Sequence, residues 1–460
     1  MEDYKSALES HQHALQIRIK LFGEVHADTA KSYHVIGVTQ SWMEDYKSAL
    51  DSHQHAIQIR LKLFGEVHAD TAESYRSIGV TENWIDDYKS ALDSHQHAIQ
   101  IRLKLFGEVH ADTAESYRSI GVTENDMKDY TSALESHQHA LQIRLELFGE
   151  VHADTAESYR SIGVTQSWME DFKSALDSHQ HALQISLKLF GEDHADTAEN
   201  YHSIGITQSW MEDFKSALDS HQNALQIRLK LFGEDDADTA ESYRNIGVIQ
   251  SWMEDYKSAL ESHQHALQIR LILFGEDHAD TAQSYYSIGF TQDEMEDFKS
   301  ALKSHQHALQ IRLKLFGEDH ADTAQSYYSI GFTQYEMKDY KSALVSGQHV
   351  LQIKKKLCGE GHSDAADTYT FIGVIQLEMK DYKSALASHE RALQIRLTLF
   401  GENHPATAES YDYIQLVQDR MKTGVSIRLE QMKSSNFVKH LLRRIFYKSI
   451  TKHSITKDSI

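Results

Sequence analysis

Residues 68–107 read HADTAESYRSIGVTENWIDDYKSALDSHQHAIQIRLKLFG, and this stretch holds one complete structural unit of the chain. Ala72, Tyr75, Ile78, Gly79 and Val80 lie close to i, i+3, i+4 spacing, which predicts a first helix from about His68 to Trp84. Tyr88, Ala91, Leu92, His95, Ala98, Ile99, Leu103 and Phe106 form a second apolar stripe, which predicts a helix from about Asp86 to Phe106. Gly107 is placed to end that helix as a left-handed cap. The loop Gly107-Glu108-Val109 is short, so consecutive helices are expected to pack antiparallel.

The unit recurs on both sides. Glycine stands at 23, 65, 107, 149, 191, 233, 275, 317, 359 and 401, always 42 residues apart. A second glycine column runs from Gly37 through Gly79 to Gly373. Residues 45–83 and 87–125 are identical over all 39 positions. A fixed period of this length marks a repeat array. One thin helix pair cannot bury its apolar faces alone, and stacking on its neighbours completes the core. Gly79, Ala91 and Ala98 are the expected close crossings, where a larger side chain would cost roughly 1–3 kcal/mol through overpacking. The chain's single proline supports the helix start, because His404-Pro405-Ala406-Thr407 puts proline at the first helical position.

Composition bounds the function. No apolar run approaches the roughly 18 residues of a membrane span. The first ten residues, MEDYKSALES, are polar and acidic, unlike a signal peptide. The single cysteine, Cys358, has no internal disulfide partner and is read as a packing residue in place of the usual phenylalanine. A cytoplasmic protein is expected. The net charge is −22, but residues 421–460 hold nine Lys/Arg against two Asp/Glu, which leaves −29 on the preceding 420 residues. An acidic body disfavours nucleic acid and anionic membrane, and suits basic or mixed-charge protein segments.

Three segments are expected. Residues 1–420 form the array; Met1 falls in the column of Met43, Met169 and Met211, so the array begins at a second helix and an upstream extension is expected. Residues 421–448 read as a degenerate or capping amphipathic basic helix, with Phe437, Leu441, Leu442 and Ile445 alternating with Lys439, Arg443 and Arg444. Residues 449–460 read as a disordered tail. A membrane surface is a candidate partner only through 437–448.

Thirty histidines raise the question of metal binding. Twenty-six fall into three columns: nine like His95, eight like His97 and nine like His68. His95 and His97 lie two apart on a helix, about 200° around its axis, and cannot chelate one ion. No i, i+4 pair is present, so no metal and no cofactor is expected. The His68 column reads as helix starts and the His95 column as packed core histidines, which should destabilise the fold on acidification if burial depresses their pKa values. No phosphate-binding glycine loop, Ser-His-Asp order or carboxylate pair stands out, so neither an enzyme nor a small-molecule substrate is expected.

Tyr75, Ile78, Gly79, Tyr88, Ala91 and Ala98 match the aromatic, aliphatic and small positions of the tetratricopeptide repeat (TPR), which residues 1 to about 420 resemble. The 42-residue length and the segment LFGEDHADTA at 189–198 resemble the variant found in kinesin light chains and nephrocystin-3-like proteins. Histidine at 95 replaces a usual aromatic, and Arg76-Ser77 replaces an Asn pair common in kinesin light chains. Val80 stands where an Asn of the chaperone-binding carboxylate clamp would be expected, and a heptad coiled coil is lacking.

The resemblance implies an all-α, superhelical solenoid of about ten helix-turn-helix repeats. It implies a protein-interaction scaffold or adaptor that binds peptide segments in a concave groove lined by first helices. Groove positions are then Arg76, Arg118, Arg160 and Arg244; Trp84, Trp168, Trp210 and Trp252; and Tyr286 and Tyr328, residue types enriched in binding hot spots. Against this, Arg76 can simply pair with Glu73 at i, i+3, and each Trp can cover a joint between repeats. The alternative functions are a structural spacer without a dedicated ligand, a cargo or ciliary adaptor, and a membrane-associated adaptor.

Overall fold

The computed structural model describes residues 2–423, so the predicted amphipathic helix at 437–448 and the tail at 449–460 lie outside the described residues. Every element among the described residues is an α-helix. In order they are α1 (Glu2–Phe22), α2 (Ala27–Trp42), α3 (Tyr46–Phe64), α4 (Ala69–Trp84), α5 (Tyr88–Phe106), α6 (Ala111–Asp126), α7 (Tyr130–Phe148), α8 (Ala153–Trp168), α9 (Phe172–Phe190) and α10 (Ala195–Trp210). There follow α11 (Phe214–Phe232), α12 (Ala237–Trp252), α13 (Tyr256–Phe274), α14 (Ala279–Glu294), α15 (Phe298–Phe316), α16 (Ala321–Glu336), α17 (Tyr340–Cys358), α18 (Ser363–Glu378), α19 (Tyr382–Phe400) and α20 (Pro405–Thr423). This is the all-α tandem array expected from the 42-residue period.

Among the described residues, packing divides the chain into two compact units, 2–220 and 221–423. Within each unit a helix packs on the next in sequence, and first helices also meet one another: α2 on α4, α4 on α6, α6 on α8 and α8 on α10 in the first unit, and α12 on α14 and α14 on α16 in the second. No described helix is long and apolar enough to cross a membrane.

Capping explains where each helix begins. The first helix starts after His68, whose Nδ1 accepts the Asp70 amide N–H at 3.1 Å, while its ring stacks on Phe64 with centroids 4.2 Å apart. Where histidine is replaced by Asp236, a carboxylate oxygen accepts from Asp238 and Thr239 instead. Each is a side-chain acceptor satisfying amides that have no intrahelical partner. The second helix starts at Tyr88, two residues later than expected, because Asp87 caps it through the Ser90 amide at 3.3 Å. Asp86 belongs to the preceding turn, with φ +61°. Its N–H donates to the Asn83 carbonyl at 3.1 Å and that of Asp87 to the Glu82 carbonyl at 3.0 Å, a Schellman closure made without glycine. Gly107 has the expected positive φ of 80°, but ψ is −172°, an extended combination that only glycine adopts readily.

The small residues lie in the core as expected. Ala91 and Ala98 are buried. A Cβ on Gly79 would stand 2.7 Å from Cε1 of His95, so the glycine column exists to seat the buried imidazole face against the neighbouring helix backbone. Histidine at 95 is therefore a core residue that occupies the space an aromatic ring would fill.

Candidate functional site

The first helices carry an interlocked charge ladder. On α4, Glu73 and Arg76 are one turn apart, and the Arg76 guanidinium donates to both oxygens of Glu73, at 3.1 and 2.7 Å. Arg102, reaching from α5, donates to the same carboxylate at 2.9 Å. Its other terminal nitrogen donates to Ser116 Oγ at 2.8 Å and to the Asp112 carbonyl at 3.0 Å, both on α6. Arg118, Glu115 and Arg144 repeat the arrangement one unit on. Burial works to raise the Glu73 and Glu115 carboxyls, but hydrogen bonding and positive charge from their arginines outweigh it and hold both below the usual range. The i, i+3 pairing of Arg76 with Glu73 weighed from the sequence is thus present, and Arg102 joins it from a column that sequence reasoning passed over.

A pocket of about 120 Å³ lies between α4 and α6. Arg76, Val80, Asn83, Trp84, His95, Arg118, Ser119, Val122 and Thr123 line it. It therefore brings together three of the predicted contact residues: Arg76, Arg118 and Trp84. Trp84 stacks on Tyr46 of the preceding repeat, with centroids 6.0 Å apart and planes at 11°, yet 41% of it remains exposed. Trp168 stacks on Tyr130 and Trp210 on Phe172 in the same way. Each of these tryptophans covers a joint with one face and offers surface elsewhere. Arg160 is partly exposed and lies 4.0 Å from Glu199 of the next repeat, rather than on Glu157 of its own helix.

Three predicted groove residues are not displayed. Arg244 is buried and ion-paired with Glu241. Tyr286 is fully buried with Val248, Phe290 and Ala308, and lies beneath the Arg312 guanidinium at 5.1 Å. Tyr328 is buried with Phe332, Phe371, Val374 and Ile375. The physical reason is bulk and polarity. At 286 and 328 a tyrosine ring is drawn into contact with the phenylalanines that replace Val80 in these repeats, whereas Arg244 keeps its carboxylate partner while buried. Trp252 is half-buried against the same cluster as Tyr286.

Cys358 also departs from expectation, since it is exposed rather than packed. Its sulfur, His362 and Asp364 have potential ligand atoms within 4.8 Å of one another. The Asp364 carboxylate is held by Lys354 at 2.8 Å, and His362 Nδ1 accepts the Asp364 amide as a helix cap. Both groups are thus engaged in local structure.

Comparisons with known proteins bear on the whole array. A model described as Tetratricopeptide repeat matches residues 1–62, 37–104, 70–146, 112–187, 154–230, 204–272, 238–314 and 294–356, and a second model of that description matches 365–406. Comparison with curated proteins returned no match. Among solved structures, the apo form of RapI is 16% identical, with a TM-score of 0.52 over 77% of this chain and 99% of that one. A Pyrococcus horikoshii signal transduction ATPase with numerous domains and a tetratricopeptide repeat sensor is 13% identical, with a TM-score of 0.55 over 81% of this chain and 54% of that one. A protein described as a Podosopora anserina kinesin light chain with nearly identical TPR-like repeats is 12% identical, with a TM-score of 0.41 over 45% of this chain and 98% of that one. At these identities the likeness concerns the fold.

Proposed function

Because the chain belongs to the tetratricopeptide-repeat family, whose members are generally protein-interaction scaffolds, we propose that it binds peptide segments of partner proteins along its first helices, centred on the pocket between α4 and α6. The observation that carries this reading is the pocket's lining. Two valines and an indole offer apolar contact, and two guanidiniums, Arg76 and Arg118, stand beside them already oriented by carboxylates. Arginine held in a bidentate pair loses little further rotamer freedom when a ligand approaches, so little ordering cost opposes binding. The fitting ligand is an extended or helical segment that places an apolar side chain between Val80 and Val122 and a hydrogen-bond acceptor near a guanidinium. A cytoplasmic adaptor of the kinesin light chain kind would be one instance of this reading. Repeats of this kind are typically non-enzymatic, which fits a site built for recognition.

The test is selection from a displayed peptide library with the intact chain, followed by binding of the selected peptides to Val80→Arg and Val122→Arg variants shown to be folded by circular dichroism. The expected result is that both variants lose the selected peptides by at least tenfold. Peptides that bind wild type and both variants alike would remove the pocket from the function. The identity of residues 45–83 and 87–125 favours a second reading, a structural spacer, which a library yielding no binder would support.

A further inference from the structure

Two repeats lack the arginine on which the ladder depends: one carries a lysine, Lys354, and the other carries no cation at that position. In eight repeats an arginine near the end of the second helix donates to a serine fourteen residues later; Arg60 to Ser74 at 2.7 Å, Arg144 to Ser158 at 2.9 Å and Arg270 to Ser284 at 2.9 Å are examples. Where Arg102 also reaches Glu73, 29 residues earlier, the guanidinium ties two consecutive first helices together. At the corresponding place in α9 the residue is Ser186, and its partner in α10 is Asn200. The two have exchanged roles, since the Asn200 amide nitrogen now donates to Ser186 Oγ at 2.8 Å. Asparagine is shorter than arginine, and the exchange leaves space.

That space is a cavity of about 240 Å³ lined by Asp154, Glu157, Arg160, Ser186, Asp196 and Asn200, with Ala153 and Ala156 completing its wall. Glu157 and Asp196 stand where Glu73 and Asp112 stand around Arg102, at the same sequence offsets. The lining therefore keeps the carboxylate and the carbonyl-bearing residue that hold a guanidinium in the filled repeats, with Asn200 in place of the serine and Arg160 at the wall, as Arg76 stands beside Arg102. Glu157 is 36% exposed and Asp196 55%, so the cavity opens to solvent. Glu157 is held from the preceding repeat by Arg144 at 3.0 Å and lies 3.8 Å from Arg118. A carboxylate with two oxygens has capacity to accept a further planar donor beside such partners.

We propose that this cavity is a binding site for the guanidinium group of an arginine side chain presented by a partner polypeptide. Guanidinium is favoured over ammonium because Arg102, Arg144, Arg270, Arg312 and Arg396 each fork between acceptors on two consecutive first helices, a geometry that a point charge does not match. The one lysine in this column, Lys354, turns instead to a single acceptor, Asp364. The acidic body supplies long-range attraction for a basic segment. The cavity lies in different repeats from the Trp84 pocket, so its failure leaves the peptide-pocket reading standing, and the reverse also holds.

The test uses the full chain and three small probes, N-acetyl-arginine methylamide and its lysine and citrulline counterparts, titrated by calorimetry at low ionic strength. The arginine probe is expected to saturate with a dissociation constant in the millimolar range, and the other two to bind at least tenfold more weakly. The variant Ser186→Arg combined with Asn200→Ser refills the site with the chain's own arginine; it is expected to melt higher than wild type and to lose the arginine probe. Glu157→Gln, which keeps the shape and removes the charge, is expected to weaken the arginine probe at least fivefold. Equal binding of the three probes, retained binding by the refilled variant, or no saturation by arginine at 50 mM would each overturn the proposal. Should the refilled variant not fold, Glu157→Gln decides alone.

Discussion

The first helices at 69–126 and those at 279–336 occupy equivalent places in their repeats, yet one set forms a charged, partly open surface and the other an apolar core. The difference lies in three columns that change together. Glu73, Arg76 and Val80 become Gln283, Tyr286 and Phe290, and then Gln325, Tyr328 and Phe332. The arginine from the second helix is kept, but its surroundings are exchanged: Arg102 meets a carboxylate, whereas Arg312 donates to the Gln283 amide oxygen at 2.9 Å and lies over the Tyr286 ring. Burial lowers the Arg312 pKa, and the Asp322 carboxylate works in the opposite direction. A buried guanidinium can thus be satisfied by an ion pair or by neutral acceptors and a ring face, so the columns around it can change while it is kept.

The largest expected effect comes from acid, and it should separate the two units. Burial, aided by neighbouring positive charge, pushes His53 and His95 down to about 4 and His137 and His179 down to about 3 in the first unit; His263 falls to about 3 and His389 to about 4 in the second. These rings stay neutral in the folded chain while the unfolded chain takes up protons below 6.5. Their stabilisation is therefore complete above pH 6.5 and declines as pH falls toward 4 and 3. At pH 5.5 each such ring costs roughly 1.4 kcal/mol relative to pH 7.5. Melting at the two pH values should show a lower midpoint at pH 5.5. Tryptophan fluorescence, dominated by the four tryptophans before residue 221, should show a larger drop than a fluorophore attached in the second unit. A midpoint that does not move would sink the assignment of these rings as neutral core residues.

Next in size is the contrast between Tyr286 and Arg76. Tyr286→Ala should destabilise by roughly 3–5 kcal/mol, because it empties a fully buried ring site. Arg76→Ala, at a site with 28% of the side chain exposed, should cost no more than about 1–2 kcal/mol. Urea denaturation measures both, and equal losses would erase the distinction between surface and core.

A smaller effect probes the coupling of the columns. Glu73→Gln alone should destabilise by roughly 1–3 kcal/mol, since it leaves Arg76 and Arg102 without their shared carboxylate. Adding Arg76→Tyr and Val80→Phe imports the second region's set and should recover at least half of that loss. Strict additivity in the mutant cycle would show that the columns are independent. The smallest effect concerns the turns: Glu170→Gly should stabilise by about 0.5–1 kcal/mol, because φ +62° is unfavourable for a residue with a Cβ. Thermal melting at pH 7.5 detects it.

Most of the fold was legible because it is written locally and repeated. The 42-residue period, the two stripes and the glycines gave both helices of the unit to within two residues, and the misplaced start at Asp86 reflects a Schellman turn closed by an acidic residue instead of glycine. The candidate site was legible in part. Arg76, Arg118 and Trp84 do converge on one pocket, but the Arg102 column and its gap at Ser186 were missed, although the paired departure of residues 186 and 200 from their columns was available as a signal.

The amino-acid sequence by itself determined the helical array, the capping by His68 and its equivalents, and the small residues that let helices approach. Each of these depends on residues a few positions apart and on periodic apolar burial, which any unit expresses by itself. Only the tertiary structure decided which arginines are held by which carboxylates, that Arg244, Tyr286 and Tyr328 are buried, and that a cavity stands beside Ser186. Those outcomes depend on side chains 14, 29 or 42 residues away, whose length and charge determine whether a position is filled, paired or open.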